Sequence, residues 1–216
     1  MKLEELKFQR AGTQFGGYYI CLDLIEKKSN VISAGVGSDT SFDEFLCRNK
    51  DCGIIAIDPT ECAAKAIRKN SLNIIEFINK PLTKLNREII KMYKRKPEKQ
   101  GVSESKFYDP LFLQEDYYEI ESVSLDFLLK KYRNISVLKM DIEGAEYEVI
   151  ESLNELDIPQ VCIEFHQENS MRTRSQFGDT DNANNHAQEK LYDMGYVFGY
   201  AKSDFEITFV HKKYLT

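Results

Sequence analysis

Residues 196–210 read YVFGYAKSDFEITFV, and this stretch decides the fold. Its two apolar runs, 196–200 and 206–210, are separated only by residues 201–205. A crossover between parallel strands needs about a dozen residues or more, so these two strands must pair antiparallel. The chain is therefore predicted to end in a β-hairpin.

Upstream of the hairpin, short apolar runs alternate with helix-like segments. The predicted strands are VISAGV at 31–36, GIIAID at 53–58, IIEFI at 74–78, VLKMDI at 137–142 and VCIEFH at 161–166. Such near-continuous apolar runs are typical of strands buried on both faces of a parallel sheet. We predict an α/β fold with a mostly parallel seven-stranded sheet, helices on both faces and an antiparallel hairpin at the C-terminus.

The chain is predicted to hold one domain at residues 30–216, with residues 1–29 as an N-terminal extension that packs on it. Residues 84–118 interrupt the alternating pattern with a basic stretch and then a run rich in Tyr, Phe and acidic residues. We predict an insertion here, with one helix at 85–93. A lid over the substrate and a solvated surface excursion both remain open as its role.

Composition and hydropathy argue against several classes of protein and several cellular locations. Lys and Arg total 29 against 35 Asp and Glu, a net charge of −6, whereas nucleic-acid binders concentrate positive charge. No segment approaches the ~20 apolar residues of a membrane span, and no signal peptide is visible. The five cysteines form no CxxC pair, so we expect reduced cysteines in a cytoplasmic protein. A homo-oligomer is left open.

A glycine loop follows the first predicted strand. Gly35 and Gly37 allow a tight turn and the close approach of a ligand, at a point that opens onto a helix N-terminus. Asp58 lies 21 residues past Gly37 at the next strand end, where a carboxylate can accept both hydroxyls of a ribose. The third glycine of a dinucleotide fingerprint is absent, because residue 40 is Thr, so S-adenosylmethionine (SAM) fits better than NAD.

A second segment, DIEGAE at 141–146, places carboxylates at the end of the fourth predicted strand. In open α/β sheets, ligands bind outside the carboxyl ends of the strands, so Asp141 is expected to face the crevice that the glycine loop borders. Gly144 allows a sharp turn into the next helix.

Taken with its neighbours, this segment carries a family resemblance. LKMDIEGAEYEVI at 138–150 resembles the signature of FkbM-type methyltransferases, and GVGSDTSFD at 35–43, AIDPT at 56–60 and CIEFH at 162–166 resemble further segments of a subgroup. A parallel sheet with one reversed strand at the end of the chain is also the layout of class I, Rossmann-like methyltransferases. The resemblance covers roughly residues 30–72 and 122–166, and the insertion lies outside it.

The resemblance implies SAM-dependent methylation of a hydroxyl on a sugar, glycan or other small natural product. It implies that Gly35 and Gly37 line the methionine part of SAM, that Asp58 holds the ribose and that Asp141 lies beside the methyl group. The full set of implied cofactor-binding residues is Gly35, Val36, Gly37, Ser38, Asp58, Pro59 and Asp141.

An alcohol acceptor needs a base, or a metal that lowers its pKa. The two-residue period of a strand puts Cys162, Glu164 and His166 on one face, and Lys139 and Asp141 share a face of the preceding strand. We therefore expect Asp141 and His166 to approach each other, with His166 as the first choice of base, since imidazole titrates near neutral pH. Asp141 could orient it or act as base itself, and Glu164 completes the set of candidate catalytic residues.

Other roles for these groups stay open. Asp141, Glu164 and His166 could hold a divalent cation. Lys139 and Glu164 could form a buried ion pair, and Glu143 could contact the substrate. The loop at 167–182 carries Arg172, Arg174 and Gln176, which could bind an anionic substrate.

Two further functional classes also remain open. One is an NAD-dependent oxidoreductase, disfavoured by the missing third glycine and the closing hairpin. The other is a non-catalytic protein that binds SAM or another nucleotide.

Overall fold

The computed structural model describes residues 2–70, 72–95, 104–105, 113–166 and 180–215. The strands are β1 (Phe8–Ala11), β2 (Tyr18–Cys21), β3 (Asn30–Ala34), β4 (Gly53–Ile57), β5 (Ile74–Ile78), β6 (Leu82–Thr83), β7 (Ile89–Arg95), β8 (Glu104–Ser105), β9 (Leu113–Glu121), β10 (Val123–Ser124), β11 (Ile135–Met140), β12 (Gln160–Glu164), β13 (Tyr196–Ala201) and β14 (Glu206–His211). The α-helices are α1 (Ser41–Lys50), α2 (Glu61–Lys69), α3 (Leu125–Lys131), α4 (Glu146–Glu151) and α5 (Thr180–Asp193).

Seven of these strands form one mixed sheet, in the order β13-β14-β12-β11-β3-β4-β5. The strands from β12 to β5 are all parallel. Strand β14 runs antiparallel to both β12 and β13, which confirms the C-terminal hairpin predicted from the short connection. The fold is α/β as predicted, and the sheet is mixed because β14 is reversed between two strands that share one direction.

Alternating strand residues send side chains to two separate cores. Ile32 of β3 belongs to a cluster that also contains buried residues of α3, α4 and α5. Val31, its neighbour along the strand, belongs to a second cluster with buried residues of α1, α2 and the β1–β2 hairpin. Helices therefore cover both faces of the sheet, as the continuous apolar runs predict.

Two helices begin at side chains that cap their first turn. The Thr60 side chain accepts a hydrogen bond from the Ala63 amide at the start of α2, and the Ser124 side chain accepts one from the Phe127 amide at the start of α3. Each hydroxyl satisfies a backbone donor that the first turn of a helix leaves without a partner.

The helix predicted at 85–93 is wrong. Strand β7 occupies this region instead and is the central strand of a small antiparallel sheet, β8-β7-β9. Ile90 and Met92 are buried, whereas Ile89 and Lys91 are exposed, which is the two-residue period of a strand with one buried face. The two adjacent isoleucines also favour a strand.

The N-terminal segment forms the antiparallel β1–β2 hairpin. Ala11, Tyr18 and Ile20 of this hairpin are buried in the second core cluster. The domain division at residue 29 stays a prediction. Residues 167–179, with Arg172, Arg174 and Gln176, lie outside the described residues.

No helix in the described ranges is long and apolar enough to cross a bilayer. The five cysteines all lie in the described ranges and form no disulfide there.

Candidate active site

A cavity of about 470 Å³ opens at the carboxyl edge of the parallel strands. Its walls come from the segments that follow β3, β4, β11 and β12, from the β1–β2 turn and from the region of β6 and β7. Its lining residues are Phe15, Gly16, Gly35, Val36, Gly37, Ser38, Asp39, Ile57, Asp58, Pro59, Thr60, Pro81, Leu82, Met92, Lys139, Asp141, Ile142, Glu143, Ala145, Glu164 and His166. Every cofactor-binding and catalytic residue predicted from the sequence is among them.

The glycine loop lies against the end of β11. Gly35 has φ +74°, and a Cβ atom on it would lie 1.6 Å from the carbonyl oxygen of Asp141. Gly37 also has a positive φ, +59°, but no atom lies within 4 Å of the position its Cβ would take. Gly35 is therefore required for backbone packing, whereas Gly37 leaves an open cradle that a ligand can approach.

Asp58 joins the glycine loop to the start of α2. Its Oδ2 accepts a hydrogen bond from the Gly37 amide at 2.8 Å. Its Oδ1 accepts hydrogen bonds from the Thr60 amide at 2.7 Å and the Thr60 hydroxyl at 2.5 Å. Both oxygens of this buried carboxylate thus fix the protein's own loops, a role that the sequence interpretation did not include.

Asp141 lies between Lys139 and His166. Its Oδ2 is 3.8 Å from Nζ of Lys139, and its Oδ1 is 3.6 Å from Nε2 of His166. The predicted approach of Asp141 and His166 is therefore observed. Lys139 is buried in β11 and also donates a hydrogen bond to the carbonyl oxygen of Gly35, which ties the glycine loop to this strand.

His166 is surrounded by carboxylates. Nδ1 of His166 is 3.0 Å from Oε1 of Glu146, and Nε2 is 3.8 Å from Oε2 of Glu143. Burial opposes the charged form, but the carboxylates of Glu146, Glu143 and Asp141 outweigh it and raise the pKa of His166 well above 6.5. The surrounding carboxylates therefore favour the imidazolium form of His166.

Glu146 holds His166 in place. It is the first residue of α4 and is fully buried, and its Oε1 also accepts a hydrogen bond from the Ile142 amide at 2.8 Å. An ionised carboxylate oxygen can only accept a hydrogen bond, so Nδ1 of His166 carries the proton in its contact with Glu146. Nε2 of the ring then faces the cavity. Sequence reasoning gave Glu146 no role, although it belongs to the DIEGAE segment.

Glu164 lies at the end of β12, where the Tyr18 hydroxyl donates to its Oε2 at 3.5 Å. Burial, and then the neighbouring charge of Asp141, raises the pKa of Glu164 above its usual value. The alternative of an ion pair between Lys139 and Glu164 is not observed, and Lys139 lies 3.8 Å from Asp141 instead. In the register of β11 and β12, Lys139 lies beside Cys162, which is two residues before Glu164.

One more carboxylate lies beneath the site. Asp43 of α1 is buried, and the loss of solvent raises its pKa to about 6, although the charge of Lys139 opposes this shift. Lys139 therefore carries its positive charge in a region rich in buried acids.

A family model, that of the methyltransferase FkbM domain, matches residues 18–198. The chain belongs to the FkbM methyltransferase family. The resemblance of the DIEGAE segment and its neighbours is thus confirmed, and the family favours a methyltransferase over an NAD-dependent oxidoreductase. A search of curated proteins found no match.

A metal site in this FkbM domain would need several His, Cys, Asp or Glu side chains grouped around one point. In the described ranges, no group of three or more His, Cys, Asp or Glu residues is arranged to hold a metal ion. Asp141 and His166 lie close together, but Glu164 is engaged with Tyr18. A cation site formed by Asp141, Glu164 and His166 has no support in this geometry.

Part of the cavity of the FkbM domain was not predicted from the sequence. Phe15 and Gly16 reach it from the β1–β2 turn, and Pro81, Leu82 and Met92 reach it from the region of β6 and β7. These residues come from segments outside the βα units, and local patterns carry no signal for where such segments pack. The insertion thus contributes at least Met92 to the cavity wall.

Proposed function

We propose that this protein is a SAM-dependent O-methyltransferase that acts on a hydroxyl group of a sugar, glycan or other small natural product. One observation carries the proposal: a single cavity joins the glycine loop and Asp58 to Asp141, Glu164 and His166. The strand order, with its reversed β14, supports a Rossmann-like class I methyltransferase fold. Membership of the FkbM family supports the reaction class.

The glycine-loop side of the cavity fits SAM. The open space at Gly37 is a cradle that a Cβ would fill, at the point where a chain backbone approaches a ligand. Oδ2 of Asp58 accepts one hydrogen bond from Gly37 and has a second acceptor site left for a ribose hydroxyl. The implied binding set of Gly35, Val36, Gly37, Ser38, Asp58 and Pro59 therefore lies along one wall.

The other side of the cavity fits the acceptor. When bound, SAM supplies a methyl group on a positively charged sulfur, which is already activated for transfer. The protein must then align the acceptor hydroxyl in line with the methyl group and remove its proton. His166 and Asp141 are the groups at this position.

His166 accepts the proton through Nε2. In the neutral ring, the Glu146 contact keeps the remaining proton on Nδ1, so the lone pair of Nε2 faces the cavity. During methyl transfer, Nε2 would take the proton of the acceptor hydroxyl, and Glu146, Glu143 and Asp141 would stabilise the imidazolium that results. The same carboxylates favour the protonated form of the resting ring, so the rate is expected to rise as the pH passes the raised pKa of His166.

A ligand screen tests the cofactor. SAM and its demethylated product should raise Tm by about 5–10 °C at 100 times their Kd, and NAD should not. Stabilisation by NAD without stabilisation by SAM would contradict the proposal.

A turnover assay then separates an enzyme from a non-catalytic binder. Labelled SAM is incubated with glycan and natural-product extracts, and the methylated product is identified. A protein that binds SAM tightly but transfers no label to any hydroxyl compound would be a binder only.

A further inference from the structure

Phe15 is exposed at the rim of the cavity. Its side chain is 88% exposed, the highest value among the large hydrophobic residues in the described part of the chain, yet it lines the cavity. Exposed aromatic rings at the mouth of a pocket favour a ligand that covers them, since covering them removes apolar area from water.

The turn that carries Phe15 is fixed to the start of α1. The Thr13 amide donates to the Ser41 hydroxyl at 2.8 Å, and the Thr13 hydroxyl donates to Oδ2 of Asp39 at 2.5 Å. The amides of Phe15 and Gly16 both donate to the Thr13 hydroxyl oxygen, at 3.2 and 3.1 Å. A Cβ on Gly16 would lie 2.6 Å from the carboxyl carbon of Asp39, so the turn lies directly on that side chain.

The same turn is fixed from the side of β14. Arg10 donates to the carbonyl oxygens of Thr13 and Gln14, at 2.8 and 2.7 Å, and pairs with Glu206 at 3.1 Å. Lys202 also donates to the Gln14 carbonyl oxygen, at 3.1 Å. The turn therefore spans from the glycine loop to the C-terminal hairpin, and Phe15 is exposed on a backbone held from both sides.

The turn that carries Phe15 is anchored close to Glu164, which lies on the acceptor side of the cavity. Glu206 lies opposite Glu164 in the β12–β14 register, so the Arg10 contact anchors the turn beside the end of β12. Tyr18, three residues after Phe15, donates to Glu164. Phe15 and Glu164 thus line the same cavity, and the Glu164 carboxylate can accept hydrogen bonds from hydroxyl groups.

We propose that Phe15 is the platform on which the ring of the methyl acceptor stacks, and that this acceptor is a sugar ring. A sugar presents a face of C–H bonds that packs on an aromatic ring, while its hydroxyl groups donate to carboxylates such as Glu164. A flat aromatic acceptor would use the ring but not several hydroxyl contacts. The fixed backbone of the turn reduces the ordering cost of binding. This inference rests on the proposed O-methyltransferase function.

The test measures sugar binding to the protein saturated with demethylated SAM. Methyl glycosides of glucose, galactose, mannose, rhamnose and N-acetylglucosamine are titrated, and saturation-transfer NMR records which protons contact the protein. We expect at least one glycoside to bind through the C–H protons of one face. Phe15→Ala should weaken that binding by about tenfold, and Phe15→Tyr should restore it.

Two further variants control this test. Phe127→Ala removes a ring of α3 that is 39% exposed and does not line the cavity, so it should leave glycoside binding unchanged. Thr13→Val keeps Phe15 but removes the hydroxyl that holds the turn, and it should weaken binding less than Phe15→Ala does. A Tm close to that of wild type for each variant shows that the fold is intact.

Several outcomes would overturn the inference. They are the absence of binding by any glycoside, equal binding by Phe15→Ala, and stronger stacking of a catechol probe than of every sugar. A Phe15→Ala variant that loses SAM affinity instead would place the ring at the cofactor. If wild type does not bind SAM, the proposed function is wrong. If wild type binds SAM but Phe15→Ala leaves glycoside binding unchanged, only the role of Phe15 is wrong.

Discussion

Asp58 and Asp141 occupy equivalent places in the fold, yet their surroundings differ. Asp58 directly follows β4 and Asp141 directly follows β11, and both strands lie beside β3 and parallel to it. Asp58 receives three hydrogen bonds from the amides of Gly37 and Thr60 and from the Thr60 hydroxyl. Asp141 instead faces the charged groups of Lys139 and His166.

The difference shows how one residue type serves two purposes at one sheet edge. Backbone donors have no charge to change, so Asp58 works as a fixed connector between loops. The partner of Asp141 is a histidine whose charge can change, so this side of the cavity can take up a proton. Position at a strand end predicts that a carboxylate borders the cavity, and the donors around it decide what it does.

The largest expected effect is on turnover. His166→Asn keeps an N–H donor near the position of Nδ1 for Glu146 but has no group that titrates. We expect the rate of methyl transfer to fall by about 10²–10⁴-fold, with SAM affinity close to that of wild type. Single-turnover rates and calorimetric SAM titration measure the two quantities.

His186→Ala is the matched control for that variant. His186 pairs with Glu151 on the surface and does not line the cavity, so its loss should leave turnover unchanged. Full activity of His166→Asn would show that His166 does not take up the proton, and that the two sides of the cavity do not differ in this respect.

The two loop glycines should differ in stability. Gly35→Ala places a Cβ into the Asp141 carbonyl oxygen and should cost about 2–4 kcal/mol in the free energy of unfolding. Gly37→Ala meets only the conformational cost, about 1–2 kcal/mol, but fills the cradle and should weaken SAM binding. Denaturant unfolding and SAM titration measure both; equal losses of stability in the two variants would contradict the distinction.

Asp58→Asn tests the connector. Gly37 and Thr60 donate to opposite oxygens of Asp58, and an amide can offer an oxygen to only one of them. We expect a loss of about 1–3 kcal/mol in the free energy of unfolding, together with weaker SAM binding. Asp126→Asn, on an exposed carboxylate of α3, should change stability by less than about 0.5 kcal/mol. If Asp58→Asn leaves the free energy of unfolding and SAM binding unchanged, the glycine loop keeps its conformation without these hydrogen bonds.

The smallest expected effect is a shift in pH dependence. Glu146→Gln keeps an oxygen for Ile142 and His166 but removes the charge that raises the pKa of His166. The neutral form of His166 is the base, so the rate rises as the pH passes its pKa; with a lower pKa, this rise moves to lower pH. The pH profile of single-turnover rates measures the shift, and the maximal rate should stay near that of wild type.

Glu151→Gln, at the exposed end of α4, provides the comparison for the pH profile. Its profile should match that of wild type. An unshifted profile in Glu146→Gln would show that another group, such as Asp141, takes the proton.

Much of the fold followed from local patterns. The run at 53–58 is a strand because a buried parallel strand is apolar on both faces, and Thr60 and Ser124 begin helices because their hydroxyls cap free amides. The closeness of Asp141 and His166 followed from the two-residue period of adjacent strands. These features depend on neighbours along the chain or on adjacent strands.

The features that were missed depend on distant parts of the chain. Residues 85–93 have leucine and isoleucine at a spacing that suits a helix, but Ile90 and Met92 are buried by pairing with β9. Phe15 reaches the cavity because Arg10 and Asp39 hold its turn from two sides. Glu146 was passed over because only the folded chain brings His166 to it.

The Asp58–Gly37 contact also makes one backbone amide a reporter. The Gly37 N–H lies outside any helix or strand, and such amides normally exchange with solvent deuterium rapidly. Because it donates to a buried carboxylate, its exchange requires the glycine loop to separate from Asp58. The deuterium exchange of this single amide therefore measures how often the loop opens, without any ligand or assay of activity.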